Sequence, residues 1–473
     1  MSSIKNILGI IFIIIFCLLL SKLLTQVSPF LSIALVVGLA VCLLGFLRPD
    51  LALIILIVSM IFSPELKLAE LPGRDIVIRM DDIILILVIL SWLVRITVYK
   101  ELGLISLTPL NKPIFFYISI CFISSALAMI NGNVNWIKGT FYLLRYLGYF
   151  LLFFMVSNVV QSEKQIKLYL IVGLITCLIM TVYVYSQFGS MERVTAPFEG
   201  KSGEPNTLGG YYIIVIALVF GFFAYNSSKG ANFLLIALLL FLIPPFIRTL
   251  SRASYVAFVP MLLTLIFFTR RKKLLLVVFT VIGIIILPLL SKELYQEMRD
   301  RVLYTFSGTS SEAISVFEKK IDSSAGARLE SWKNMIYVKF PQRSLLGWGV
   351  TGAGFLDGQY PLVLGETGVV GLIAFIWLLW SILKNLYLFY RNIEVYWLKG
   401  FALGMLSATA GLIVHAIPSN TFIIIRIMEP FWFLLGMIMA ARKLYLYPLP
   451  LNTITPNPTI PHQEGGSFYT ARS

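Results

Sequence analysis

The chain has 473 residues, 58% hydrophobic and only 13% charged, with a formal net charge of +15 and a mean hydropathy of +0.89. Soluble domains are about half apolar and about a quarter charged, so this composition excludes an ordinary soluble enzyme and indicates a polytopic α-helical membrane protein. The positive balance does not point to nucleic acid, because there is no Lys/Arg-rich soluble domain to bind it; cations beside membrane helices serve the positive-inside rule and anionic headgroups.

In chain order, apolar blocks near the ~20 residues needed to cross a bilayer mark about fourteen spans. They fall near 7–26, 31–47, 51–63, 83–98, 113–130, 141–159, 166–187, 207–225, 231–247, 252–269, 273–290, 359–383, 399–417 and 422–441. The first has no A-x-A-like cleavage site and is expected to be retained as a helix. Between the eleventh and twelfth, from Ser291 to Tyr360, the apolar character breaks off in stretches such as Ser291-Lys292-Glu293, Arg299-Asp300-Arg301 and Glu318-Lys319-Lys320. Such a segment cannot sit in hydrocarbon. The expected fold class is all-α, a transmembrane bundle of about 14 spans with one large extracytoplasmic insert. Membrane helices are expected in 1–290 and 359–447, the insert in 291–358, and a disordered cytoplasmic tail in 448–473. That tail is rich in proline and glycine, and its His462 has no expected role.

Orientation follows from the basic cluster Arg270-Arg271-Lys272-Lys273, expected to be cytoplasmic. The same assignment puts Lys164, Lys167, Lys229, Lys384, Arg391, Lys399, Arg442, Lys443 and both termini inside, and the insert outside. Segments 64–82, 131–140, 188–206, 248–252 and 417–421 then lie outside. Arg248, Arg252 and Arg426 at outer span ends run against the positive-inside bias. Any one could snorkel to the interface, but as a group they suggest an external polyanion. The four cysteines, Cys17, Cys42, Cys121 and Cys177, fall in apolar blocks without paired spacing and read as small buried hydrophobes. The run Gly347–Gly354 superficially resembles a phosphate cradle, but it is not set between a strand and a helix and reads as a tight turn.

Four stretches carry a more specific signal. They are Arg193-Val-Thr-Ala-Pro-Phe-Glu-Gly200 with Glu204-Pro205-Asn206; Thr249-Leu-Ser-Arg252-Ala-Ser254; Ala327-Arg328-Leu-Glu-Ser-Trp332 with Ser344-Leu-Leu-Gly-Trp-Gly349; and Asp357-Gly-Gln-Tyr-Pro-Leu-Val-Leu-Gly-Glu366-Thr-Gly368. In this order and spacing, over about 190 to 370, the chain resembles the O-antigen ligase and O-antigen polymerase family of bacterial envelope glycosyltransferases. The resemblance implies a reaction at the outer face of the bacterial cytoplasmic membrane. There a glycan leaves undecaprenyl diphosphate and joins an acceptor sugar or lipid-linked glycan, without nucleotide sugar, metal or other cofactor.

It also implies roles for residues. Arg193, Arg252 and Arg328 match family arginine positions and would clamp the diphosphate, for which the planar guanidinium is suited; Arg248 and Arg426 are candidates by location only. Family ligases begin the fourth motif with a histidine, where this chain has Asp357-Gly358. That departure weighs against a lipid A-core ligase and leaves a polymerase or a ligase of another type. Asp357 is the expected base. His415, near an outer span end, is the alternative base or else a histidine hydrogen-bonded among packed helices. Glu366 is expected to position an arginine, while Glu429 is open between structure and function. Trp332 and Trp348 are expected to pack the insert. The rival reading is a transporter or flippase of the lipid-linked glycan, which would show inverted repeats and broken helices around a midplane site.

Overall fold

The computed structural model of the chain describes residues 29–69, 76–98, 106–199, 203–290, 296–297, 299–300, 314–316, 319–321, 323–354 and 356–446. The predicted first span (7–26), Cys17 and the tail (448–473) lie outside the described residues, as does much of the insert. The described chain is helical almost throughout: α1 (Pro29–Leu47), α2 (Pro49–Phe62), α3 (Met80–Val98), α4 (Asn111–Ile130), α5 (Trp136–Val159), α6 (Glu163–Ser186), α7 (Pro205–Tyr225), α8 (Lys229–Arg248), α9 (Arg252–Phe268), α10 (Lys273–Leu290), α11 (Ser323–Asn334), α12 (Gln359–Asn392), α13 (Tyr396–His415) and α14 (Ile425–Leu446). The all-α class holds, with two short antiparallel hairpins beside the helices, β1 (Glu65–Ala69) with β2 (Ile76–Arg79) and β3 (Ile314–Val316) with β4 (Lys319–Ile321). The first uses the β-branched run Ile76-Val77-Ile78, which favours an extended chain over a loop.

Local chemistry sets the helix starts. Proline occupies the first turn of α2 and α7, where its missing N–H costs nothing. Asn135, Ser162, Ser228 and Ser251 cap α5, α6, α8 and α9, Ser162 as a reciprocal capping box with Gln165. Every predicted span from 31–47 onward coincides with a helix. The widest difference in length is α12, which runs to Asn392 because Ile382, Leu386, Phe389 and Tyr390 continue a buried face at helical spacing.

Seven helices among the described residues (α4, α5, α6, α7, α8, α12 and α13) are long and apolar enough to cross a membrane. Shorter apolar helices accompany them, including α2 and α9. The long α3 and α14 carry more charge, Asp81, Asp82 and Arg95 in one and Arg426, Glu429, Arg442 and Lys443 in the other. The protein is thus built as a helical membrane protein. Its chain reverses direction at each helix from α1 to α10 and again through α12, α13 and α14. One end gathers the turns near 47, 160, 226, 270 and 394, linked by Arg95 Nη1 to Phe46 O (2.7 Å), Tyr169 OH to Asp50 O (3.2 Å), Lys272 Nζ to Phe223 O (2.9 Å) and Arg271 over Tyr396 (4.1 Å). The opposite end gathers the segments near 63, 132, 195, 250, 350 and 418.

At the centre, α13 packs against α7 and α9. A Cβ at Gly221 would lie 2.3 Å from Gly400 O, and one at Gly404 would lie 2.7 Å from Leu218 Cα, so the two backbones touch. Small residues spaced by four give membrane helices this close approach. The helix α12 is broken at Gly368 (φ 67°, ψ −168°), a conformation glycine adopts without Cβ strain. The insert fills the break: Val369 N donates to Ser344 O (2.8 Å), while Trp348 N and Gly349 N donate to Gly365 O (2.9 Å) and Glu366 O (2.8 Å).

Candidate functional site

The corner between α8 and α9 is a three-residue turn, Thr249-Leu250-Ser251, with basic residues on both sides. Leu250 is held at φ 47°, and Thr249 stays bonded to the last turn of α8 through Pro245 O and Phe246 O. The loop after α6 folds back onto this corner. Gln187 pins its root by exchanging two hydrogen bonds with Thr195, Nε2 to Thr195 O (2.8 Å) and Thr195 N to Oε1 (2.9 Å). Val194 N then donates to Arg248 O (3.3 Å) and Arg193 Nε to Thr249 O (3.1 Å). Arg193 is therefore laid against the segment that carries Arg248 and Arg252. Arg248 also pairs with Glu297 of the insert.

Behind the corner runs a directed hydrogen-bond chain. Ser251 Oγ donates to Asn206 Oδ1 (2.7 Å) and Ser254 Oγ donates to Ser251 Oγ (2.8 Å). Ser254 has then spent its proton, so its 3.2 Å contact with His415 Nε2 makes that nitrogen the donor. His415 Nδ1 in turn accepts from Thr421 Oγ1 (2.7 Å). His415 is fully buried, and both ring nitrogens are engaged.

Asp357 lies just beyond the end of α13, which carries His415. Gln359 N donates to Ala416 O (2.9 Å), Asn420 Nδ2 to Leu356 O (2.7 Å) and Phe422 N to Gln359 Oε1 (2.9 Å), clamping the 356–360 stretch onto 416–422. Arg328 Nε binds Asp357 Oδ2 at 3.0 Å, and Trp332 Nε1 donates to the Asp357 carbonyl. The pair is half-open, with side chains 26% and 35% exposed.

The remaining predicted residues are buried in support of this end. Glu366 accepts from Thr351 N (2.8 Å) and Tyr146 OH (3.3 Å), bracing the glycine-rich turn 347–354 against α5 and α12. Arg426, 2% exposed, donates to Pro197 O, Phe198 O (3.2 Å) and Ser63 O (3.4 Å), with Glu199 Oε1 3.8 Å away. Glu429 is fully buried and neither carboxylate oxygen accepts a hydrogen bond among the described residues; it lies within electrostatic reach of Arg79, Asp81, Asp82 and Arg145. In that cluster Arg79 holds Asp81 at 2.7 Å and Arg145 holds Asp82 at 2.9 Å. Outside the helices, burial lifts the Glu199 carboxyl to about 7 against the opposing pull of Arg426.

Sequence reading missed Gln187, Ser251, Ser254 and Thr421 as members of the site, although both serines stand inside a quoted motif. Ser251 and Ser254 meet partners 45 and 161 positions away, which no local spacing announces, whereas Gln187 and Thr421 lie 8 and 6 positions from theirs. The structure also supplies a signal that sequence lacks. Of four non-glycine residues with positive φ among the described residues, Phe198, Leu250 and Thr351 all lie at this end, and Lys272 lies at the other. Strained backbone concentrates where function constrains it. Among the described residues no group of three or more His, Cys, Asp or Glu side chains is placed to hold a metal. No model of a known protein family matches the chain, and no characterised protein matches it.

Proposed function

We propose that the protein is a lipid-dependent glycosyltransferase of the O-antigen polymerase/ligase type. It spans the bacterial cytoplasmic membrane about fourteen times, with both termini inside and the arginine corner facing out. The observation that carries this reading is the convergence of Arg193 on the Arg248–Arg252 turn at the end of the bundle opposite the lysine- and arginine-rich turns. Cations at an outer face run against the usual bias, and a diphosphate is the ligand that would use them. An apolar cavity of about 260 Å³ between α2, α6, α7, α8 and α14, lined in part by Met60, Ile61, Tyr211, Leu218 and Phe433, supports a hydrocarbon-tailed donor.

In this mechanism Arg193 and Arg252, assisted by Arg248, hold the diphosphate. The acceptor hydroxyl gives its proton to Asp357, its oxygen forms a bond to the anomeric carbon, and the bond from that carbon to the phosphate oxygen breaks. The leaving diphosphate keeps its charge on the arginines. Arg328 orients Asp357 through one oxygen. Buried His415 positions Ser254 and Ser251, the cap of the helix that begins with Arg252. Glu366 and Arg426 brace the flanking turns. The transporter alternative draws on the break at Gly368, where the insert's own N–H and C=O groups bond to residues 365, 366, 369 and 370.

The test is transfer of glycan from purified lipid-linked donor in reconstituted membranes. Asp357→Asn should cut transfer about 10²–10⁴-fold, Asp357→His should retain measurable activity, and His415→Ala should be mild. Charge-assisted contacts are worth about 1.5–3 kcal/mol, so Arg193→Ala or Arg252→Ala should each cost about one to two decades of rate. A dead His415→Ala beside an active Asp357→Asn would move the base to His415. Near-normal transfer by every arginine variant, at matched protein levels, would sink the diphosphate clamp.

A further inference from the structure

The backbone of Phe198 is left-handed, φ 62°, although it bears a large side chain. A turn that needed only this shape would carry glycine or asparagine. Such a conformation persists where its surroundings over-determine it, and here they do. Arg426 donates to the carbonyls of Pro197 and Phe198 together, turning both inward. Glu199 Oε2 accepts from Ala196 N (3.3 Å) and Glu204 N (3.0 Å), closing the loop across its neck. With the carbonyls turned in, the Phe198 side chain is left out, 53% exposed. A buried cation, a buried carboxylate and a strained residue thus combine to leave one aromatic ring uncovered. The root of the same loop is Arg193, laid on the Thr249–Arg252 corner.

We propose that Phe198 is a sugar-binding platform: its ring stacks on the C–H face of the glycan residue next to the diphosphate held at Arg193. The inference rests on the glycosyltransferase reading and adds a residue that selects the sugar. Glu192, Arg193 and Glu204 frame the loop with charge, a setting that suits a hydrated sugar better than hydrocarbon. Arg426 is accordingly a positioning residue that acts through the loop and touches no substrate.

The probe is the repeat-unit oligosaccharide released by mild acid from the cell's own lipid-linked glycan. It is added to the full-length protein in nanodiscs and followed by saturation-transfer NMR. Wild type, Phe198→Trp and Phe198→Tyr should saturate the sugar C–H protons with similar affinity. Phe198→Leu, which keeps the apolar bulk and the backbone strain but has no ring, should bind about three- to tenfold more weakly. Phe198→Gly relieves the strain, so it should melt at or above the wild-type temperature while losing the same binding. Arg426→Gln should weaken binding as Phe198→Leu does, with partial recovery in Arg426→Lys. Equal binding by Phe198→Leu and wild type, the result for a ring that merely dips into the bilayer, overturns the platform. So does an oligosaccharide that fails to bind wild type. Transfer by the same wild-type preparation is measured in parallel: transfer without platform binding leaves the glycosyltransferase reading standing, and absent transfer overturns that reading by itself.

Discussion

Glu199 joins a local charge to the behaviour of a whole loop. Burial raises its carboxyl to about 7, while Arg426 and the N–H groups of Ala196 and Glu204 favour the ionised form and Glu204's charge opposes it. The folded chain therefore binds this proton more tightly than the unfolded chain does. Its stabilising effect is complete below the unfolded value near 4.5 and is lost as pH rises through about 7. Protection of the amides across 195–199, corrected for intrinsic exchange, should fall between about pH 4.5 and about 7, with a slope of at most about 1.4 kcal/mol per unit, and Glu199→Gln should flatten the profile. An unchanged profile in Glu199→Gln would assign the titration elsewhere. Arg252 stands out in a list of letters as a charge against the orientation bias, and Arg193 and Asp357 stand out through the motifs that contain them. The task of Arg426 was not legible, because it binds main-chain carbonyls of a distant loop. His415 is the histidine hydrogen-bonded among packed helices that the sequence offered as one of two readings, though its partners Ser254 and Thr421 were not foreseen.

At the scale of elements, the seam between α7 and α13 sets how closely the bundle can pack. Gly221→Ala would drive its Cβ to 2.3 Å from Gly400 O, a backbone atom that cannot turn aside. Overpacking of this kind costs about 1–3 kcal/mol, so the variant should melt earlier in detergent. Gly230→Ala, with nothing within 4 Å of its Cβ, should melt at the wild-type temperature or above. Equal melting of the two variants would deny the seam its role. The helices themselves were readable because apolar runs and caps are local properties. Neither the seam nor the break at Gly368 was readable, because each depends on which distant backbone arrives. The β1–β2 hairpin was obscured by the charges of 64–82, which read as loop.

For the whole molecule, the alternation of helices gives the bundle two chemically different ends, and the proposed function places the arginine corner outward. Single cysteines at Ser310 and Ser473 in a cysteine-free background, probed with an impermeant thiol reagent on intact cells, should label at Ser310 and not at Ser473. The reverse pattern would invert the molecule. The break in α12 bears on how such a chain is made. From Val369 to Asn392 the helix is about 36 Å long at 1.5 Å per residue, enough to cross ~30 Å of hydrocarbon unaided. The piece from Gln359 to Thr367 is left above it as a cap, bonded to residues synthesised before it. During synthesis, Ser344 and Leu345 leave the ribosome before the N–H groups that their carbonyls will meet. The insert therefore stays unfinished until the following helix has been made, and this end of the bundle is sealed by a later step of the chain's own assembly.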